Sequence, residues 1–250
     1  MSEDQVFSGR AQRFRDKIYG SSKGELRLAL VWRDMQEQLA LNDHTLTCWD
    51  AGGGLGQISA RLAALGHRVC LSEPAFDMLQ LAKENLPQSV SCRQETLQQH
   101  TVPEGGYDLV VCHAVLEWLA EPAQALPILA RSLAPGGHLS LLFYNVHAIA
   151  LANMVKGNLY KVQAESFAGE PGSFTPPSPQ DPMTVVGQLE ALGLQVSGRR
   201  SVRFALDLMP RALRAQRSLE DVMAVEWQYG AREPYWQLGR YVHLVCRKSP

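Results

Sequence analysis

The sequence predicts an α/β fold built on a doubly wound, mostly parallel β-sheet. Short apolar runs of strand length alternate along the chain with longer amphipathic runs of helical spacing. Several short runs are apolar on both faces, which is typical of parallel strands covered by helices on each side. This alternation implies right-handed β–α–β crossovers. Two further apolar runs near the C-terminus predict a strand pair that closes the sheet.

Hydrophobic periodicity and flanking turn residues place each element. In the first predicted helix, Leu28, Trp32, Met35 and Leu39 share one side, which we expect to be buried. The Pro-rich segment 167–182 contains five prolines and is expected to be a loop or a lid. The predicted strands are 46–50, 67–72, 90–93, 107–112, 138–144, 194–204 and 240–247, and the predicted helices are 23–41, 57–65, 75–86, 122–133, 183–192 and 218–229.

Composition excludes several classes of protein. The 250 residues are 46% hydrophobic and 20% charged, with a formal net charge of −1, which argues against a nonspecific nucleic-acid coat. The polar N-terminus lacks the apolar region of a signal peptide, and no apolar run approaches the length of a membrane span. The five cysteines stand singly without zinc spacing, so we expect reduced thiols, no metal and a cytoplasmic location.

A glycine cluster follows the first predicted strand, in the stretch CWDAGGGLG over residues 48–56. The dinucleotide fingerprint G-x-G-x-x-G does not fit, because Gln57 or Ser59 occupies the position of its third glycine. The pattern D-x-G-x-G-x-G over 50–56 does fit, and it resembles the first motif of class I S-adenosylmethionine (SAM)-dependent methyltransferases. That resemblance implies a Rossmann-like, seven-stranded sheet with an antiparallel closing strand and additional N-terminal helices.

Two acids near this turn suit a cationic nucleoside cofactor. SAM carries a sulfonium and no phosphate, so it needs bare main chain and nearby carboxylates rather than a helix N-terminus. Asp50 ends the first strand and suits the cationic methionyl end, beside Gly52–Gly54. Glu73 ends the second strand, 23 residues further on, where its carboxylate can accept both ribose hydroxyls. The competing interpretation of Glu73 is an acid at a helix N-terminus.

The next two strand ends supply further candidates. Class I methyltransferases hold the adenine after the third strand, where this chain has Thr96 and Leu97, with Glu95 beside them. His113 follows the fourth strand on the ligand edge of the sheet. A structural, hydrogen-bonded histidine is the competing interpretation of His113.

Five separated segments resemble the bacterial transfer RNA (tRNA) 5-carboxymethoxyuridine methyltransferases. They are IYGSSKGELR (18–27), DAGGGLGQ (50–57), HAVLEW (113–118), SLLFYNVHAIALANMVKGN (140–158) and REPYWQLGRYVH (232–243). The resemblance implies methyl transfer from SAM to the carboxylate of 5-carboxymethoxyuridine at wobble position 34, giving the methyl ester. It also implies a tRNA anticodon loop as the partner and no membrane.

Carried over by position, the resemblance assigns cofactor contacts. Arg27 would hold the cofactor carboxylate, although a surface helix arginine is the competing interpretation. Gly52 and Gly53 would line the cofactor, Glu73 would hold the ribose, Thr96–Leu97 would meet the adenine and His113 would border the site. The implied organisation is a single domain with a helical cap (1–44), a cofactor-binding core (45–145) and a substrate-side elaboration with closing strands (146–250).

The proposed chemistry needs positioning rather than a base, because a carboxylate with a pKa of about 4 is already ionised at neutral pH. Tyr144, Asn145 and His147 follow the fifth strand and are candidates to orient the substrate carboxylate. Arg203 and Arg240 are further candidates, since arginine recognises carboxylates with a fork of donors. The competing interpretations are a core-capping Tyr144, a helix-capping Asn145, and arginines that meet phosphates or solvent.

The C-terminal part carries the candidate RNA contacts. Six arginines between 199 and 217 predict a basic patch, together with Lys156 and Lys161; a solvated face of a strand and a helix is the competing interpretation, and charge alone favours it. Tyr229, Tyr235 and Trp236 are candidate stacking residues or core aromatics.

Three other functions stay open from the residues alone. They are a class I methyltransferase for a small-molecule acid or quinone precursor, a non-catalytic SAM-binding module, and the already disfavoured dehydrogenase. The sequence leaves the oligomeric state and the choice of tRNAs undetermined.

Overall fold

The computed structural model describes residues 4–6, 8–9, 21–167 and 175–250. Its described residues form one seven-stranded sheet in the order β3-β2-β1-β4-β5-β7-β6. The strands are β1 (Thr47–Ala51), β2 (Arg68–Ser72), β3 (Ser91–Arg93), β4 (Tyr107–His113), β5 (Leu133–Tyr144), β6 (Leu194–Val202) and β7 (Tyr241–Lys248). Strands β1 to β5 run parallel, and β7 lies antiparallel between β5 and β6. The predicted fold class is confirmed.

Helices cover both faces of this sheet. They are α1 (Ser22–Gln38), α2 (Gln57–Ala64), α3 (Phe76–Asn85), α4 (Pro122–Ser132), α5 (Val146–Val155), α6 (Leu159–Gln163), α7 (Pro182–Ala191), α8 (Ala205–Leu208), α9 (Arg211–Arg214) and α10 (Leu219–Gly230). Short 3₁₀ turns occupy Leu97–Gln99, Leu116–Trp118 and Tyr235–Gln237. All six helices expected from periodicity are present, with ends shifted by three residues or fewer.

Two apolar layers explain why the central strands are hydrophobic on both faces. In β4, Leu109 and Val111 enter the layer under α1, α2 and α3, whereas Val110 and Cys112 enter the layer under α4 and α7. Neighbouring residues of a strand point to opposite faces, so both sets must be apolar.

The predicted buried side of α1 is only partly correct. Met35 is fully buried, but Leu26 and Leu30 share that burial while Leu28 and Trp32 are half-buried. The helix packs against both α10 and strands β6 and β7, so its apolar contact is broader than one stripe.

The described end of the Pro-rich segment is tied to the sheet edge. The backbone N–H of Gln180 donates to Tyr144 O at 2.8 Å, and the N–H of Ser178 donates to Glu117 O at 3.1 Å. Residues 168–174 of the expected loop or lid lie outside the described residues. The domain division at residues 44 and 145 stays a prediction.

Among the described residues, no helix is long and apolar enough to cross a membrane. The same part of the chain contains no group of three or more His, Cys, Asp or Glu side chains placed to hold a metal ion. All five cysteines are free thiols.

Candidate active site

A crevice opens where β1, β2, β4 and β5 end, at the edge where parallel sheets bind ligands. It consists of two adjoining cavities that share Arg27, Gly52, His113 and Ala114. The larger cavity also contains Gly54, Glu73, Thr96, Leu97, Glu117, Tyr144 and Tyr241, and the smaller also contains Asp50, Gly53 and Gln57. The fold thus gathers most of the predicted site residues in one place.

The glycine turn presents main chain to this crevice. Gly52 and Gly54 have φ values of +68° and +58°, a region that disfavours side chains. A Cβ on Gly52 would lie 2.6 Å from Val115 Cγ2. The N–H groups of Gly52 and Gly53 donate to Ser72 O at 2.9 and 3.1 Å, which fixes the turn to the end of β2.

Glu73 links the glycine turn to the start of α3. Its Oε2 accepts from Gly54 N–H at 3.1 Å, and its Oε1 accepts from Ala75 N–H at 2.9 Å. Burial raises the pKa of Glu73 to about 7, against the lowering effect of these two backbone donors. Each carboxylate oxygen keeps acceptor capacity for a hydroxyl in the crevice.

Asp50 lies beneath the turn and faces only the smaller cavity. Its Oδ2 accepts from the Ser59 hydroxyl at 2.7 Å, and a Cβ on Gly53 would approach the same oxygen to 2.8 Å. Burial raises the pKa of Asp50 to about 6. Asp50 therefore supports the turn as well as bordering the cavity.

Thr96 and Leu97 line the larger cavity, and their contact with an adenine stays a prediction. Glu95, beside them, is held elsewhere: its Oε1 lies 2.6 Å from His100 Nδ1, and the His100 ring stacks on Trp49 at 4.0 Å between centroids. Glu95 is thus part of a structural cluster rather than a cofactor contact.

Arg27 and His113 stand at the junction of the two cavities. The Arg27 guanidinium lies 5.4 Å from the centre of the Tyr241 ring, and the His113 Nε2 lies 2.8 Å from Ser140 Oγ. Burial lowers the pKa of His113 well below its usual value, and the positive charge of Arg27 lowers it further. His113 is therefore neutral at physiological pH.

Tyr144 joins the crevice to a cationic cluster behind it. The Arg240 Nη1 donates to the Tyr144 hydroxyl oxygen at 2.6 Å, while the Arg240 Nε donates to Asp207 Oδ2 at 2.9 Å. Lys23 lies 3.4 Å from Asp207 Oδ1. Burial opposes ionisation, but the cations Arg203, Arg240 and Lys23 lower the pKa of Asp207 to about 2. One anion therefore holds three cations beside the crevice.

The prediction that Arg203 contacts substrate is not supported by its position. Its Nη2 donates to both carboxylate oxygens of Asp207, at 3.1 and 2.8 Å. Arg203 is absent from the residues that line the crevice. It acts behind Arg240, by fixing Asp207.

Asn145 and His147 are also corrected. The Asn145 side chain is 0% exposed; its Oδ1 accepts from His147 N–H at 3.0 Å, and its Nδ2 donates to Gln237 O and Gly239 O at 2.7 and 2.9 Å. Asn145 caps α5, and both of its N–H donors are used, so it has no donor left for a substrate carboxylate. His147 pairs with Asp181 at 2.8 Å, away from the lining.

The predicted arginine patch is not one surface. Arg200 is buried against Asp34, Arg203 and Arg214 are used around Asp207, and Arg199 lies over the Trp236 ring. Only Arg211 and Arg217 of the six are exposed. Trp236 itself is 2% exposed, which excludes it as a stacking platform.

Glu117 is a site residue that sequence reasoning missed. It is 1% exposed, lines the larger cavity, and its Oε2 has no hydrogen-bond partner among the described residues. Burial raises the pKa of Glu117 to about 7, and a backbone donor at Tyr144 and the charge of Arg27 oppose that rise. Its position inside HAVLEW, after the fourth strand, was the available signal.

Residues 4–6 and Tyr241 were missed as well. Gln5 N–H donates to Trp118 O at 2.8 Å, and Asp4 Oδ1 accepts from Ala120 N–H at 2.8 Å, which holds this segment along the larger cavity. Residues 4–6 lie far from any motif in the sequence, so no pattern predicts that they border the cavity.

The charges of the crevice fit a cationic ligand. Three buried acids, Asp50, Glu73 and Glu117, border it, and Arg27 is the one arginine among the described residues that line it. A pyrophosphate would be repelled by this set, whereas a sulfonium and an ammonium are attracted. The bare turn and the acids therefore fit SAM and disfavour a dinucleotide.

Comparison with known proteins also points to a SAM-dependent methyltransferase. A methyltransferase-domain family model matches residues 49–141. The chain is 36% identical to the tRNA 5-carboxymethoxyuridine methyltransferase of Escherichia coli K12, over 98% of this chain and 97% of that protein. The chain belongs to the tRNA 5-carboxymethoxyuridine methyltransferase family. As a member of this family it is a SAM-dependent methyltransferase, which confirms the predicted enzyme class and cofactor.

Solved structures show the same fold at low identity. A putative SAM-dependent methyltransferase of Listeria monocytogenes has a TM-score of 0.65 and 15% identity, covering 90% of this chain and 100% of that chain. The magnesium protoporphyrin IX methyltransferase of Synechocystis PCC 6803, with bound SAH, has a TM-score of 0.65 and 16% identity, covering 97% and 96%.

Replacing Glu73 tests the cofactor side of the crevice. We expect Glu73→Ala to weaken SAM binding by about 1–3 kcal/mol, because hydrogen bonds to a carboxylate are lost and the glycine turn loses its anchor. Titration calorimetry measures the change, with the exposed Glu84→Ala as the control. Equal affinities of the two variants would remove Glu73 from the site.

Glu117 gives a pH-dependent stability prediction. The unfolded glutamate loses its proton near pH 4.5 and the folded one near 7, so between these values rising pH favours the unfolded state. We expect Glu117→Gln to be about 1–3 kcal/mol more stable than the parent at pH 8, with little difference near pH 4.5.

Urea unfolding at the two pH values measures this difference, and the exposed Glu121→Gln serves as the control. A stabilisation that does not change with pH would contradict the role given to the buried charge.

Proposed function

We propose that this enzyme transfers the methyl group of SAM to the carboxylate of 5-carboxymethoxyuridine at wobble position 34 of tRNA, forming the methyl ester. The similarity to the Escherichia coli enzyme spans nearly both whole chains, well beyond the shared methyltransferase core. The observation that carries the proposal is the Arg240–Tyr144 hydrogen bond of 2.6 Å at the edge of the acidic crevice. It provides a donor for an anionic acceptor beside a site for a cationic methyl donor.

The two cavities divide the cofactor between them in this proposal. Arg27 would hold the carboxylate of the methionyl end in the smaller cavity, and Asp50 would attract its ammonium from the floor. Glu73 would accept hydrogen bonds from the ribose hydroxyls, and Thr96 and Leu97 would border the adenine. SAM supplies a methyl group made electrophilic by its positive sulfur.

Methyl transfer to a carboxylate needs no general base. The substrate is already an anion at neutral pH, so the S–CH₃ bond breaks as the O–CH₃ bond forms and no proton moves. The protein brings the two opposite charges into line and excludes water, which strengthens their attraction. The demand on the chain is therefore for correctly placed donors.

Tyr144 is suited to orient the substrate carboxylate. Because its oxygen accepts a hydrogen bond from Arg240 Nη1, its own O–H is available as a donor toward the crevice. The positive charge of Arg240 polarises that O–H and adds attraction for an anion. Asp207 fixes Arg240 through Nε, so the arrangement is held before substrate arrives.

The helices α5 and α6 offer a surface for the RNA. Helix α5 starts two residues after Tyr144, at the crevice edge, and Tyr160 on α6 is 67% exposed. The exposed Lys156 and the half-buried Lys161 flank it. An exposed aromatic ring between lysines is typical of contacts with the unstacked nucleotides of an RNA loop. A tRNA substrate also places the proposed activity in the cytoplasm.

Nucleoside mass spectrometry tests the assignment directly. We expect a deletion strain to lack the methyl ester of 5-carboxymethoxyuridine and to accumulate the free acid, and the purified enzyme with SAM to restore the ester on that tRNA. A normal ester content after deletion would refute the proposal. SAM binding without turnover would indicate a non-catalytic module, and turnover only on free acids would indicate a small-molecule enzyme.

Tyr144→Phe tests the proposed carboxylate donor. Losing a hydrogen bond to a charged group costs about 1.5–3 kcal/mol, so we expect kcat/KM for tRNA to fall about 10- to 100-fold with SAM affinity unchanged. The matched control is Tyr107→Phe, which removes a buried hydroxyl that bonds to His100 outside the crevice. Equal activities of the two variants would exclude Tyr144 from substrate binding.

A further inference from the structure

A continuous chain of hydrogen bonds runs from the crevice into the buried interior of the sheet. His113 Nε2 lies 2.8 Å from Ser140 Oγ, and the same oxygen lies 2.8 Å from His243 Nε2. His243 Nδ1 lies 2.6 Å from Asp34 Oδ2, and Asp34 Oδ1 accepts from Arg200 Nε at 2.8 Å. The chain crosses from β4 through β5 and β7 to α1 and β6. Of its five members only His113 lines the crevice, and the methyl-transfer chemistry does not require the other four.

The protons of this chain can be assigned from its far end. Arg200 is always a donor, and its Nη1 also donates to Trp227 O at 2.9 Å. Burial opposes the ionisation of Asp34, but the bonds from His243 and Arg200 outweigh it and lower the pKa of Asp34. Asp34 is therefore an ionised acceptor, and His243 Nδ1 must carry a proton and donate it.

Charge balance then makes His243 neutral. Arg200 and Asp34 already cancel, and His243 is 0% exposed, so a second buried cation would have no counter-ion in the chain. With Nδ1 protonated, neutral His243 has an acceptor at Nε2, and the Ser140 hydroxyl donates to it. The Ser140 oxygen in turn accepts from a proton on His113 Nε2. His113 is left with an unprotonated Nδ1.

That nitrogen is an acceptor at the cofactor site. Nδ1 of His113 has no hydrogen-bond partner among the described residues, and His113 lines both cavities beside Arg27 and Gly52. A neutral ring there also avoids repulsion of a sulfonium. If the hydrogen bonds between His243, Ser140 and His113 ran in the opposite direction, the proton of neutral His113 would lie on Nδ1. Nδ1 would then be a donor and could not accept a hydrogen bond.

We propose that Asp34, His243 and Ser140 are positioning residues that fix His113 in the Nε2–H tautomer, so that His113 Nδ1 accepts a hydrogen bond from the α-ammonium of SAM. This inference rests on the cofactor placement proposed above, in which the methionyl end lies beside Arg27. It gives a function in the active site to residues of α1 and β7 that do not line it.

The tautomer is measurable without any reaction. Long-range ¹H–¹⁵N spectra of the protein labelled with ¹⁵N-histidine distinguish the two neutral tautomers and the cation, and His113→Gln identifies the His113 signals by their loss. We expect the ligand-free protein at neutral pH to show protonated Nε2 and bare Nδ1 on His113, and the Nδ1 signal to shift when SAM binds. A proton on Nδ1, a charged ring, or an unmoved Nδ1 signal would overturn the proposal.

Ser140→Ala breaks the chain at its centre. We expect mixed His113 tautomers and SAM binding about 3- to 10-fold weaker, the effect of one hydrogen bond. Ser201→Ala is the matched control, because Ser201 is also 0% exposed in the same sheet and its hydroxyl has no partner among the described residues. Identical spectra and affinities for the two variants would overturn the proposal. Should Ser140→Ala fail to fold, the parent spectra above still decide.

These measurements also separate this inference from the proposed function. Neither the spectra nor SAM binding involves RNA, so a predicted tautomer with no ester formed on tRNA would refute only the substrate assignment. Ester formation with the opposite tautomer would refute only the proton chain.

Discussion

The site depends on an electrostatic constraint: carboxyl groups are buried along the crevice, where a cation stabilises their charged form. Glu73 and Glu117 both lie in the larger cavity with pKa values raised to about 7 by burial, and Asp50 lies below the adjoining one. Without a ligand these groups are costly to ionise, since burial disfavours the charged form. A positively charged cofactor offsets that cost. The crevice therefore favours a cationic ligand, whatever the shape of the ligand.

Sheet topology determines which residues share this environment. Parallel strands bring the ends of β1, β2 and β4 together, and these ends hold the glycine turn, Glu73 and His113. Strand β7 inserts antiparallel next to β5, so its start, not its end, reaches the same edge, with Tyr241 paired to Tyr144. Strand β7 therefore completes a site whose first residues lie nearly 200 positions earlier in the sequence. Arg240 immediately precedes β7 and so lies at the same edge of the sheet.

The local part of this design could be predicted from the sequence. The glycine turn and Glu73 follow strands that the apolar pattern locates, and the spacing of these residues predicts a nucleoside-binding site. Arg203 and Asn145 could not be assigned in this way, because their roles depend on Asp207 and on the carbonyls of residues 237 and 239. An arginine that faces a buried acid looks the same in sequence as one that faces a substrate.

The family resemblance identified one crevice residue that the hydrophobic pattern could not identify, and it left others unidentified. Arg27 was named only through its matching segment, and it does line both cavities. Glu117 lay inside a matching segment too, yet a buried, unpartnered oxygen is a property of packing and cannot be read from residue order. The hydrogen bonds from Ser140 to His243 and on to Asp34 link residues up to 209 positions apart, beyond the reach of any periodicity.

The two sides of the crevice carry opposite charge, and this polarity suits the proposed reaction from binding to release. Asp50 and Glu73 lie beside the glycine turn, whereas the cations Arg240, Arg203 and Lys23 surround Asp207 behind Tyr144. Each side therefore attracts one charged reactant, and transfer of the methyl group neutralises both at once. In the proposed reaction, the ester would no longer carry the negative charge placed beside Tyr144 and Arg240, and the thioether would no longer carry the positive charge of the sulfonium. The same fixed charges that assemble the reactants thus hold the products less tightly, and no movement of the protein is required for that difference.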